Sequence, residues 1–79
     1  MDKSIHSENY QLVISLLKKA RVDAGITQID LANKLGVTQT FVSKCERCER
    51  RLDIIELRSF CTAIGINLLD FIEALESNI

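Results

Sequence analysis

Three glycines occur in this 79-residue chain, and each opens the same pattern: Gly25-Ile26-Thr27, Gly36-Val37-Thr38 and Gly65-Ile66-Asn67. Glycine accepts the left-handed conformation that closes a helix, the β-branched residue after it can pack back on the last turn, and Thr or Asn then caps the next helix through its side-chain oxygen. Each triplet therefore predicts one helix ending and another beginning. Thr27 has Asp30 three residues on and Asn67 has Asp70, which puts a carboxylate in each first turn, where the helix dipole favours it.

Between these stops the apolar spacing is helical. Tyr10, Val13, Ile14, Leu17 and Ala24 fit a first helix, with Leu16 as an extra contact. A short second helix from about Gln28 to Leu35 places Leu31, Ala32 and Leu35 inward, and a third from about Gln39 to Arg47 does the same with Val42 and Cys45. Val37, in the turn between them, also reads as core. After the polar stretch ERCERR, a fourth helix from Asp53 to Ile64 carries Leu57, Phe60, Cys61 and Ile64, and Asn67 opens a fifth with Leu68, Phe71, Ile72 and Leu75. A chain that is 47% apolar, with no Pro, no Trp and four aromatic residues, suits aliphatic helix packing and not a turn-rich β fold. The expectation is an all-α, compact five-helix bundle forming a single domain over residues 1–79. No apolar run reaches the roughly 18 residues that span a bilayer, and MDKSIHSENY has no signal-type hydrophobic stretch, so the expected location is the cytoplasm.

Net charge is only −1, but it is unevenly placed. Residues 1–52 hold nine Lys or Arg against six Asp or Glu, a net +3, while residues 53–79 hold Arg58 against Asp53, Glu56, Asp70, Glu73 and Glu76, a net −4. A basic face can neutralise phosphates whatever the total, and an acidic pole would point away from a polyanion. An enzyme finds little support in one His, with no nucleophile and base at working spacing and no Gly-rich phosphate loop. No cofactor is expected.

Two short helices joined through Gly36 and Val37 match a helix-turn-helix, whose first helix crosses the DNA backbone while the second lies in the major groove. The stretch TQIDLANKLGVTQTFVSKCERCERR resembles the Cro and phage-repressor family, the XRE-type helix-turn-helix proteins, through Thr-Gln-x-x-Leu-Ala-x-x-Leu-Gly-Val-Thr-Gln followed by Val-Ser-x-x-Glu-Arg. The likeness covers roughly residues 10–66, with the helix-turn-helix itself at about 27–48. It implies a lambda-repressor-like DNA-binding domain and a double-stranded DNA partner. It also implies a stand-alone regulator such as a phage-type repressor, a restriction-modification controller or a mobile-element regulator.

By that resemblance the third helix reads bases, with Gln39, Thr40 and Lys44 at base edges and Ser43 beside them. These residue types have the right donors and acceptors, since Gln can pair with adenine N6 and N7, Lys can donate to guanine O6 or N7, and Thr can touch a thymine methyl. Phosphate contacts are expected from Gln28 and Thr38 at helix starts, where backbone amides favour anions, and from Arg47, Arg50 and Arg51 after the reader. Lys18, Lys19 and Lys34 are weaker candidates. The resemblance also has Gln28 bracing the Gln39 side chain and pairs Arg21 with Glu46, an ion pair that would set the angle of the reader helix.

Proteins of this size read DNA as symmetric dimers on pseudo-palindromes. The fifth helix, about 67–77, has apolar residues on more than one side, so Leu68, Leu69, Phe71, Ile72, Leu75 and the terminal Ile79 are the candidate homodimer interface. The competing class is a protein-interaction module, such as an antitoxin, that docks a partner protein through this helix.

Cys45-x-x-Cys48 with Cys61 and His6 falls short of a zinc site, which usually takes two ligand pairs at short spacing. No metal is expected. Cys45 and Cys61 fall on apolar positions and read as small buried hydrophobes, while Cys48 stands where the family commonly has a helix-ending Gly. A redox role for Cys45 and Cys48 is the remaining reading of that pair.

Overall fold

In the computed structural model, residues 7–79 are described, and they form five helices with no strand: α1 (Glu8–Asp23), α2 (Gln28–Leu35), α3 (Gln39–Glu46), α4 (Ile54–Ile64) and α5 (Leu68–Asn78). Each start is set by a side-chain cap. Ser7 accepts from the Tyr10 amide, Thr27 from Asp30, Thr38 from Phe41, Asp53 from Glu56 and Asn67 from Leu69. Asp30 and Glu56 return the bond to the amides of Thr27 and Asp53, so both ends form full capping boxes. Asp53 is thus the cap of α4 and not its first helical residue, and Arg47 likewise lies just beyond α3.

The helices share one core. Ile14 and Leu17 of α1, Leu31 and Ala32 of α2, Val42 and Cys45 of α3, Leu57, Phe60, Cys61 and Ile64 of α4, and Phe71 of α5 are all buried. Tyr10, Val13, Leu16, Leu35 and Val37 pack half-buried against it. Leu31 and Val42 lose all their exposure, burial worth roughly 1.5–3 kcal/mol for a side chain of this size. They fuse α2 and α3 into one unit. Ala24 departs from the reading that put it inside α1: it is the exposed residue after the helix.

Two features of the core depart from the reading of the sequence. Leu52 is buried although it lies in the turn before α4, and its amide donates to the Tyr10 hydroxyl at 2.9 Å, tying that turn to α1. Phe71, expected at a dimer interface, is instead 5% exposed within the core. The last helix therefore turns Phe71 inward, with Leu68 and Ile72 packed beside it, and leaves Leu69 (66% exposed) and Ile79 (65%) outside. Among the described residues no helix is long and apolar enough to cross a membrane.

Candidate nucleic-acid interface

The turn between α2 and α3 rests on Gly36, whose φ of 70° lies in the left-handed region. The Gly36 amide donates to the Asn33 carbonyl and the Val37 amide to that of Ala32, the paired closing bonds of a Schellman turn. Any side chain here would be strained by the backbone even though the space is open. Val37 then packs back on the core, and Thr38 caps α3.

Behind α3 lies a buried polar knot. Glu46 accepts from Arg21 Nε at 2.6 Å and Arg21 Nη2 at 2.9 Å, and its Oε1 also accepts from Gln28 Nε2 at 2.9 Å. Arg21 Nη1 donates to the Ile26 carbonyl at 2.7 Å. Only 9% of the Arg21 and 6% of the Glu46 side chain is exposed, and no buried side-chain polar atom among the described residues lacks a partner. One carboxylate thus joins the end of α1, the start of α2 and the end of α3. The bidentate fork fixes direction as well as distance. Gln28 departs from the expected arrangement: its amide braces Glu46 and not Gln39, because the buried carboxylate needs a third donor and Gln28 opens the adjacent helix.

The opposite face of α3 is open. Gln39, Thr40 and Lys44 are exposed and Ser43 is half-exposed. Gln39, Thr40, Ser43 and Arg47 line a shallow polar hollow of about 240 Å³, with Lys44 outside its lining. Arg47 donates to the Ser43 hydroxyl and grips Glu49 through Nε at 2.8 Å and Nη2 at 3.2 Å. The hydrogen bond between them raises the Arg47 guanidinium and holds the Glu49 carboxyl below its usual range. Half-exposed pairs of this kind exchange partners at little cost.

Arg50 is differently placed from Arg47. Its guanidinium lies 4.4 Å from the Phe41 ring centroid, donates to Glu56 at 2.8 Å and reaches the Arg51 carbonyl at 3.0 Å. It latches the turn to α4 over an aromatic face, a role within the molecule that sequence spacing did not reveal. Phe41 in turn sits 6.4 Å from the Phe60 ring. The one legible signal was Asp53-x-x-Glu56, the spacing of a capping box that brings Glu56 to this corner. Arg51 is exposed and lies over Tyr10, 5.6 Å from its centroid.

Cys45 and Cys61 are buried as free thiols, and desolvation pushes both pKa values up. Cys48 keeps the left-handed conformation, at φ 58°, despite its side chain. Among the described residues no three His, Cys, Asp or Glu side chains gather to hold a metal ion, and His6 lies outside those residues.

Known proteins share this architecture. An XRE-family like protein from Pseudomonas syringae pv. tomato str. DC3000 superposes with a TM-score of 0.88 at 49% identity, over 96% of this chain and 93% of its own. The wild-type restriction-modification controller protein C.Esp1396I gives 0.83 at 32% identity, over 90% of this chain and 93% of its own. The same controller, crystallised as a tetramer in complex with its natural 35 base-pair operator, gives 0.82 at 32% identity with the same coverage. No curated protein matches the sequence. The sequence profile of the helix-turn-helix family matches residues 17–71, which take in Arg21, the α2–α3 pair and Phe71. With α3 pinned from behind and bare in front, this chain belongs to the XRE-type helix-turn-helix family.

Proposed function

We propose that the protein is a transcriptional regulator that binds double-stranded DNA sequence-specifically, as a homodimer on a pseudo-palindromic operator. The observation that carries this reading is the two-sidedness of α3: Glu46 is locked between Arg21 and Gln28, while the side chains of Gln39, Thr40 and Lys44 face solvent. A groove reader needs a rigid root and free tips. Gln39 and Lys44 are the leading base readers, with Thr40 and Ser43 beside them. The α2 and α3 amides at Gln28 and Thr38 meet phosphates, and Arg47 and Arg51 add charge, Arg47 by exchanging Glu49 for a phosphate oxygen. Arg50 contributes chiefly by holding the turn that carries them. The controller bound to its operator supports the same assignment by likeness alone.

Dimerisation falls to α5. Leu69 and Ile79 are exposed and Leu75 is half-buried, whereas Phe71 serves the core. Selection of duplexes from a random pool tests the whole reading, since enriched sites should show two inverted half-sites about one helical turn apart. A chain that ignores every duplex at low salt would instead leave the protein-interaction alternative.

A further inference from the structure

Four helix ends in this protein close with the same paired hydrogen bonds. At α1 the Gly25 amide reaches Val22 and Ile26 reaches Arg21; at α2 Gly36 reaches Asn33 and Val37 reaches Ala32; at α4 Gly65 reaches Thr62 and Ile66 reaches Cys61. At α3 the pattern recurs with Cys48 reaching Cys45 and Glu49 reaching Lys44, so that Cys48 occupies the place of glycine. A side chain in this left-handed position costs about 1 kcal/mol that the other three ends avoid. Such a residue persists where something other than backbone comfort holds it.

The geometry supplies a reason. The Cys48 amide bonds to the Cys45 carbonyl at 3.1 Å, which makes residues 45–48 a turn with its end Cα atoms within about 7 Å. That separation lies at the reach of a disulfide, which spans roughly 4.4–6.8 Å between Cα atoms. The sulfurs also share surroundings. Burial is the main influence raising the Tyr10 phenol, and the charges of both Cys45 and Cys48 add to it. The pair is unequal: Cys45 is 1% exposed, whereas Cys48 is half-buried and open to a small reagent. Cys61 is buried completely.

We propose that Cys45 and Cys48 form a dithiol that peroxide oxidises to an intramolecular disulfide, and that closing it weakens DNA binding. The Cys48 sulfur, as thiolate, attacks one oxygen of hydrogen peroxide; the O–O bond breaks, the departing hydroxide takes a proton to leave as water, and Cys48 becomes a sulfenic acid. The Cys45 sulfur then attacks the sulfenic sulfur, the S–S bond forms, the S–O bond breaks, and the hydroxyl leaves with the Cys45 proton as a second water. Two thiols give up two protons and two electrons, and these reduce the peroxide to two waters. Intracellular disulfides of this kind are typically transient and redox-sensing. Bringing the sulfurs to about 2 Å draws the Cys45 side chain from its place on the buried face of α3 and away from Arg50, with which it interacts. The Arg50 latch on Phe41 and Glu56 loosens, and Arg47 and Arg51 move with the turn.

The binding half rests on the DNA reading above, so the test reads two quantities. Intact mass is measured on wild type, Cys61→Ala and Cys48→Gly before and after hydrogen peroxide, and affinity for a duplex from the selected pool is measured on the same samples. Cys48→Gly suits the left-handed turn, so it folds and binds as well as the reduced wild type. The expected result is loss of two hydrogens in monomeric wild type and Cys61→Ala but not in Cys48→Gly. Affinity of the oxidised wild type falls roughly tenfold and returns with dithiothreitol. Gain of oxygen without loss of hydrogens, a disulfide between two chains, or unchanged affinity of the closed form overturns the switch. A reduced protein that ignores every duplex sinks the DNA reading and the binding half with it, whereas an unchanged mass sinks the dithiol alone.

Discussion

Glu46 has three donors on its two carboxylate oxygens, and each comes from a different part of the fold from its own. Removing it strands the Arg21 guanidinium, with 9% of its side chain exposed. Glu46→Ala should therefore lower unfolding free energy by roughly 3–5 kcal/mol in urea titrations, far more than any exposed charge. Cys48→Gly should act in the other direction, adding about 1 kcal/mol by relieving the left-handed strain at φ 58°. The same residue scale carries a pH dependence. Glu56 is held below the usual carboxylate range, first by the Arg50 hydrogen bond and then by the Asp53 amide. A depressed carboxyl stabilises the fold above its unfolded pKa, and that contribution disappears as pH falls through the folded value. The stability difference between wild type and Glu56→Gln should thus be full near neutrality and fade below about pH 4, as thermal melts across pH would show. A difference that stays constant with pH would contradict the assignment.

At the scale of elements, α3 is eight residues long, too short to persist alone, and is held by its cap, its core face and its buried root. Thr38→Ala removes the bond from the Phe41 amide and should cost about 1 kcal/mol of stability. Gln39→Ala, on the bare face of the same helix, should leave the melt unchanged and weaken the selected site by about 1–3 kcal/mol while random DNA binds as before. Equal losses on both duplexes would remove Gln39 from the reader set. Arg51→Ala should instead weaken all sequences alike and flatten the salt dependence. The bounds of α2 to α5 were legible to within a residue, because glycine stops and oxygen caps act locally: Gly36 and Thr38 need no knowledge of the rest of the chain. Gln28 shows the limit, since whether its amide reaches Gln39 or Glu46 depends on how three helices meet.

Across the whole molecule the charge is divided, with a positive excess through α3 and its following turn and a negative one through α4 and α5. An acidic last helix with Leu69 and Ile79 outside suits a surface that meets another copy and stays clear of phosphate. Leu69→Asp should leave the fold intact, shift sedimentation toward the monomer and weaken operator binding by roughly a hundredfold, the scale of avidity that two joined half-sites provide. Leu75→Asp tests the same surface nearer the core. A monomeric variant with undiminished affinity would place the interface elsewhere.

The chain's own order of residues determined the number of helices, the ends of α2 to α5, the α2–α3 motif, the exposed positions of α3 and the Arg21–Glu46 pairing through its family pattern. These are short-range or pattern properties, set by caps, by glycine and by periodic apolar residues. Tertiary structure decided what no spacing could state: Phe71 inside and Leu69 outside, Leu52 buried in a turn by the Tyr10 hydroxyl, Gln28 on Glu46, and Arg50 over Phe41. Each depends on which faces of distant segments meet. A helix has several apolar sides in sequence but only one against the core.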